Sequence, residues 1–486
     1  MVNVTAWLET RRVFVLVLAL GLFAMAARGM TDPDAWWHLR TGQLITASHS
    51  VPHTDPYSYT RSGQPWVAHE WLSDVLIYNL YCVSGWGGLI VVFGVITAAT
   101  LLLLFGRCAG RPYVAGAITV WAAFASLPFW GVRPLMLSLL LASIFLVILE
   151  HSDVHPNWLW WTPPLTMLWV NLHAEYALGI ALLGLFLVGG TLDVAFGVET
   201  WAQMRPRLRK LAMVMAACVA LVPLNPNGVG MYVYPFQTLH SRAMLQYIAE
   251  WASPNFHQGR FLAVLLMMLA TTAGLGFMPR RVRPREMLLL LVMTAAALRS
   301  VRHIAIYVLV AAPILSRLVQ ALVEGRGRAW LDSARTRPFP GKTLVNAGLL
   351  AAILVFAVAR PSYVARHQDE KEAENFPAAA VAFLEARRPP GPILNHYNWG
   401  GYFIWKLYPE YRVYIDGRAD LYGDAFMEKF AATYYLTGGW RQELERWQIR
   451  TVVLPPAAPL VTALRAQPGW KQVYGDAQAV ILVRNR

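Results

Sequence analysis

Apolar runs close to the length of a membrane-spanning helix recur through the first 360 positions. They occur at 13–29, 88–106, 113–130, 134–150, 158–173, 176–195, 211–229, 261–278, 286–300, 303–321 and 343–359. A spanning helix needs about 20 mostly apolar residues, with roughly 17 to 25 tolerated. With 56% hydrophobic and 14% charged residues, the chain lacks the polar surface that a water-soluble domain of this size requires. The sequence therefore predicts an α-helical polytopic membrane protein with about 11 transmembrane helices.

Lys and Arg concentrate in the loops that should face the cytoplasm. Arg11 and Arg12 precede the first run and place the N-terminus inside. No small-residue cleavage signature follows, so the run reads as an anchor and not a removed signal peptide. Alternation then puts Arg107 and Arg111 inside, as well as Arg205, Arg207, Arg209 and Lys210. It does the same for Arg280, Arg281, Arg283 and Arg285, and for Arg326, Arg328, Arg335, Arg337 and Lys342. Pro134, Pro156, Pro163 and Pro164 break up residues 112–195, where the runs could be partly re-entrant. The net charge of +14 is thereby a matter of topology, and no nucleic-acid partner is expected. Twenty Trp and twenty Tyr suit the headgroup level of a bilayer, the expected setting being the inner (cytoplasmic) membrane. Cys82, Cys108 and Cys218 form neither a disulfide framework nor a cysteine metal site.

On this topology the outer side receives residues 30–87, residues 230–260 and everything after about 360. The expected division is a transmembrane domain at 1–360 with a long first outer loop, and a soluble extracytoplasmic α/β domain at 361–486. Within the first loop, amphipathic stretches at Trp36–Ala47 and after Gln64 should lie on the membrane with Trp37, Leu44, Trp66 and Trp71 toward lipid. In the tail, strand-like runs at Ile393–His396, Arg412–Ile415, Thr451–Leu454 and Ala479–Val483 alternate with helix-like stretches near 424–435 and 440–447, which predicts an α/β sandwich. No internal repeat and no glycine-rich phosphate loop is evident, so no nucleotide is expected.

Chemistry is to be sought on that outer side. Asp32-Pro33-Asp34 follows the first span, and proline stiffens the turn so that both carboxylates can point into one space. Such a pair serves as a base for a hydroxyl nucleophile, or it holds a divalent cation; solvated loop carboxylates are the bland alternative. Ionisable residues near membrane depth usually face a cavity or a partner. Arg299, Arg302 and His303 sit between the ninth and tenth runs, where a guanidinium could fork onto phosphate. Headgroup anchoring by snorkelling competes with that reading, more strongly for Arg133. Asn171, His173 and Glu175 occupy a comparable outer loop. Further cavity candidates are His38, Arg40, His53, Asp55, His69 and Glu70. A metal held by His38, His53 or His69 with the carboxylates lacks diagnostic spacing, so the metal is unknown. In the tail, Asp416-Gly417-Arg418-Ala419-Asp420 reads as a tight turn in which glycine permits a positive φ and Asp416 pairs with Arg418. Alternatively Asn398, Trp399, Tyr402, Asp416, Arg418 and Asp420 form a glycan-contacting rim.

These motifs resemble those of bacterial membrane glycosyltransferases of the GT-C superfamily, in particular members related to protein mannosyltransferases and arabinose-type transferases. The resemblance rests on Asp32-Pro33-Asp34 with Trp36-Trp37-His38-Leu39-Arg40-Thr41-Gly42, on Pro52-His53-Thr54-Asp55-Pro56-Tyr57-Ser58, and on Trp66 with His69-Glu70-Trp71. In the tail it rests on Asn398-Trp399-Gly400-Gly401-Tyr402 and Ile415-Asp416-Gly417-Arg418-Ala419-Asp420-Leu421-Tyr422. It implies an inverting transfer of sugar from a polyprenyl-phosphate donor to an extracytoplasmic glycan, lipid or protein acceptor. Asp32 or Asp34 would act as base, and Arg302 and His303 would stabilise the leaving phosphate. Two other classes fit the same chain: a lipid-linked glycan transporter or flippase, and an oligosaccharide ligase or polymerase.

Overall fold

The computed structural model describes residues 9–278, 282–326 and 341–485. Each apolar run is helical: Thr10–Ala26, Trp71–Arg107, Pro112–Ser126, Leu135–His151, Thr162–Leu172, Tyr176–Ala195, Trp201–Leu221, Leu262–Phe277, Pro284–Arg299, Ile304–Arg326 and Lys342–Arg366. Among the described residues, 6 helices are long and apolar enough to cross a membrane by length and composition. The others are shorter or too charged, so about eleven crossings are not established. Pro163 and Pro164 explain one shortfall: run 158–173 divides into a 3₁₀ turn at Pro156–Trp161 and an 11-residue helix at Thr162–Leu172. Of the basic loop residues, Arg280, Arg281, Arg328, Arg335 and Arg337 lie outside the described residues. Arg107 is more than a topology signal: it grips Glu150 through Nε and Nη2 at 2.8 and 2.7 Å and donates to the Leu309 carbonyl.

The first loop is a packed helical layer. Helix Ala35–Ser48 lies against the start of Trp71–Arg107, and the two touch at Gly42, where a Cβ would strike the Asp74 carbonyl. Close backbone approach of this kind needs glycine. His38 stands one turn earlier on the same face, which brings it to Asp74. Trp71–Arg107 then breaks at Gly85, φ 56°, before its apolar portion begins.

Trp37 and Trp66, expected above to face lipid, are both buried. The tail covers them. Gln368 donates to the Met30 carbonyl and accepts from the Met30 N–H, each at 2.9 Å, and Trp36 packs edge-on against Phe376 and Tyr402. Helix Lys342–Arg366 runs without interruption past residue 361 into this contact.

The tail carries a four-stranded mixed sheet: β1 Ile393–Asn395, β2 Thr451–Leu454, β3 Trp470–Gly475 and β4 Val480–Arg484, in the order β1-β2-β4-β3. β1 and β2 are parallel, with Leu394 opposite Val452; β4 is antiparallel to both neighbours. β2, wholly apolar after its first residue and buried throughout, is an interior strand. Segment 412–415, expected as a strand, joins the first loop instead. Val413 bridges Ser58, and the Asn395 side chain takes the Tyr414 N–H and donates to the Ile415 carbonyl at 2.9 and 2.7 Å. β3 was not anticipated; its exposed polar residues mark it as a sheet edge. The two expected helices are Ala419–Tyr435 and Trp440–Arg446.

Candidate active site

The Asp32-Pro33-Asp34 turn opens helix Ala35–Ser48. Asp32 Oδ1 accepts the Asp34 N–H at 3.0 Å, while its Oδ2 meets Arg133 Nε at 3.0 Å. Arg133 is also forked onto Glu250 at 2.6 and 3.1 Å. It is therefore an internal tie between three segments and not a headgroup anchor, correcting the stronger expectation for that residue. Glu250 is held down at about 2: burial opposes this, and the adjacent Arg133 guanidinium outweighs it. Asp34 differs. Among the described residues its Oδ1 accepts only from Trp37 Nε1, at 3.0 Å, and burial together with the Asp32 charge pushes it up to about 7.

Behind this turn, imidazoles surround one carboxylate. Glu70 lies 3.0 Å from His173 Nε2, 3.5 Å from His38 Nε2 and 3.6 Å from His69 Nε2. His38 Nδ1 donates to Asp74 at 2.6 Å. Burial works against the His38 cation, but Glu70 and Asp74 overcome it and raise the group to about 9. His69 is raised for the same reason, and Glu70 is held well below the carboxylate range despite burial. At neutral pH His38 is therefore a cation.

Across the cavity Arg302 donates from Nε to Glu175 at 2.8 Å, lies 3.2 Å from His173 Nε2 through Nη2, and sits 5.5 Å above the Trp251 ring. The buried Nδ1 of His303 has no hydrogen-bond partner among the described residues. Asp32, Asp34, His38, His69, Glu70, His173, Glu175, Arg302 and His303 all line one cavity of about 940 Å³. From the tail, Asn398, Arg418 and Asp420 join them. An apolar wall of Leu178, Ile180, Val219, Val222, Phe236 and Leu239 continues the same space.

Other candidates lie elsewhere. Arg40 is held by Gln43 and the Tyr408 carbonyl, and His53 is exposed on the loop surface. Asp55 caps Tyr57 and Ser58 and pairs with Arg418 at 2.8 Å. Asn171 is consumed by the Trp71 indole and two carbonyls; Arg299 is exposed away from the cavity. Trp399 and Tyr402 are core residues, Tyr402 donating to Glu372. Asp416 is fully buried beneath Arg418, which it binds through both oxygens at 2.8 and 2.7 Å. This pairing matches the expected turn, but Gly417 does not adopt a positive φ. Its missing side chain makes room for Asp34, whose Oδ1 would collide with a Cβ there.

Sequence reasoning missed Glu250, Trp251, Tyr234, Tyr397 and Gly417 as cavity residues. The outer-side Arg133 was the one signal pointing toward Glu250, since a buried guanidinium demands a carboxylate. Among the described residues, no group of three or more His, Cys, Asp or Glu side chains is arranged to hold a metal ion. The carboxylates nearest the turn are already matched by guanidinium groups, Asp32 and Glu250 by Arg133 and Glu175 by Arg302.

The architecture is mostly helical with a small C-terminal sheet. It is similar to the Archaeoglobus fulgidus oligosaccharyltransferase. The apo crystal structure aligns with a TM-score of 0.51 at 12% identity, over 92% of this chain and 70% of that one. The form tethered to an acceptor peptide containing the NVT sequon gives 0.56 at 11%, over 92% and 69%. The complex with an inhibitory peptide and a dolichol-phosphate gives 0.52 at 11%, over 91% and 69%. At such identity the likeness is one of fold. It does not reach the kinship with mannosyl- and arabinose-type transferases expected above. No protein-family model and no curated protein matches the sequence.

Proposed function

We propose that the protein is a membrane glycosyltransferase. It takes a sugar from a polyprenyl-phosphate-linked donor and transfers it, with inversion, to an acceptor on the extracytoplasmic side. One observation carries this reading: the Asp32-Pro33-Asp34 turn and the Arg302-His303 pair open on a single cavity that continues along an apolar wall. A polar end with two opposed chemistries and an apolar flank suits a lipid-phosphate sugar.

Asp34 is the base. A carboxylate near pH 7 balances availability against proton affinity, the compromise general-base catalysis needs. Asp34 takes the acceptor's hydroxyl proton, and the freed oxygen forms a bond to the anomeric carbon from the face opposite the phosphate. The bond from that carbon to the phosphate oxygen breaks, and the polyprenyl phosphate leaves with the electron pair. The Arg302 guanidinium and the imidazole of His303, both on the cavity wall, would meet its growing charge, an electrostatic role worth about 10²–10³ per donor. Asp32, tied to Arg133, orients the turn. The archaeal neighbour complexed with dolichol-phosphate and the one tethered to an acceptor peptide favour a second variant of this reading, in which the donor carries an oligosaccharide.

Transfer in proteoliposomes from labelled polyprenyl-phosphate sugars and a lipid-linked oligosaccharide tests both. Asp34→Asn should lower kcat about 100-fold or more, and Arg302→Ala by about 10²–10³. Undiminished transfer by Asp34→Asn would end the base assignment. Donor movement across the bilayer without transfer would favour a flippase.

A further inference from the structure

The proposed base is pinned from outside the membrane region. Two glycines of the tail, Gly401 and Gly417, meet the Asp32-Pro33-Asp34 turn without side chains, and a third, Gly400, packs on the segment just before Gly417. A Cβ on Gly401 would run into the Pro33 carbonyl and the Trp37 ring, and one on Gly417 into Asp34 Oδ1. One on Gly400 would strike the Ile415 carbonyl and Asp416, the two residues that lead into Gly417. Asp34 Oδ1 is therefore bounded on one side by the Trp37 indole of its own helix and on the other by the Gly417 backbone.

That backbone is itself fixed. The Gly417 carbonyl accepts from the Tyr397 hydroxyl at 3.2 Å. On either side of it, Asp416 and Arg418 are locked to each other, and Arg418 reaches Asp55 of the first loop at 2.8 Å. Arg418 also lies 4.5 Å over the Trp66 ring and 5.1 Å over Tyr57, so its guanidinium is clamped by two carboxylates and two aromatic faces. A loop this heavily tied is a rigid wall, and Gly417 is where the wall meets the carboxylate.

We infer that Gly417 is a positioning residue for Asp34: the bare backbone of the tail sets the carboxylate's direction into the cavity. This rests on the reading of Asp34 as the base. On this account Gly417 acts through the oxygen it confines. A methyl group at 417 rotates or displaces Asp34, while the donor-phosphate end at Arg302 and His303 is untouched.

The test compares Gly417→Ala with Gly438→Ala, a tail glycine with nothing within 4 Å of its Cβ position, in the full-length protein. With the donor that the unaltered protein transfers, Gly417→Ala should lower kcat at least about tenfold, because small misplacements of a reacting group cost up to about 10²-fold. Donor KM should stay within about twofold, and Gly438→Ala should be silent. A second, substrate-free readout is the melting temperature in a double-mutant cycle. The penalty of Gly417→Ala should shrink when Asp34→Ala has removed the oxygen it strikes. Equal kcat for the two alanine variants, alongside an inactive Asp34→Asn, would overturn the inference and spare the proposed function. So would a melting penalty that persists in full in the Asp34→Ala background. An active Asp34→Asn would instead remove the reading on which it rests.

Discussion

Asp34 and Arg418 show how neighbours set the work of a charged residue. Asp34 is raised to about 7 by burial and by Asp32, and only its ionised form accepts a proton. The kcat profile should therefore rise with pH through an apparent value near 7, and Asp34→Glu should move that limb; a profile flat from pH 5 to 8 would contradict the assignment. The sign for stability is the reverse. A carboxyl whose folded pKa is raised favours folding most at low pH and loses that contribution as pH climbs through the folded value. Asp34→Asn should accordingly melt no lower than the native protein at pH 8. Arg418 neutralises Asp55 and Asp416, and its removal leaves two buried carboxylates facing each other. Arg418→Met should cost about 3–5 kcal/mol in thermal or denaturant unfolding, and Arg418→Lys should recover little, since an ammonium cannot fork onto Asp416.

Elements in the first loop gain their precision from where side chains are missing. Helix Ala35–Ser48 crosses the start of Trp71–Arg107 at Gly42, in contact with the Asp74 carbonyl. Gly42→Ala should destabilise the protein by about 1–3 kcal/mol, as overpacking does, and should lower transfer by disturbing His38 and Glu70. A variant with native melting and native kcat would show that the helices can slide apart freely. The helices themselves were legible, because a run of apolar residues carries its own signal. So were Asp32, Asp34, Arg302 and His303, which advertise themselves as charges where lipid is near. Trp37 and Trp66 were misread: indoles at a membrane surface look lipid-facing until a partner far along the chain covers them. Segment 412–415 misled for a related reason. Its β pattern is real, but Asn395 and the first loop, not the sheet, satisfy its backbone. Glu250 and Gly417 gave no local sign, since their partners Arg133 and Asp34 lie far off in sequence.

For the molecule as a whole, the first loop and the tail form one body, whichever side of the membrane they occupy. Cysteines placed at exposed His53 and at Gly438 in a background lacking Cys82, Cys108 and Cys218 should therefore share one labelling pattern. A membrane-impermeant maleimide should reach both in intact spheroplasts if that side is extracytoplasmic; labelling of only one would break the arrangement. The double hydrogen bond between Gln368 and the Met30 backbone ties the place where the chain first leaves its opening helix to the place where it last does so. Synthesis runs in one direction, so the Asp32-Pro33-Asp34 turn is made long before Gln368 and then Gly417 arrive to cover its flank. A nascent or prematurely ended chain holds both aspartates and yet has no finished centre. On the proposed reading, a chain that stops short of Gly417 would therefore transfer no sugar.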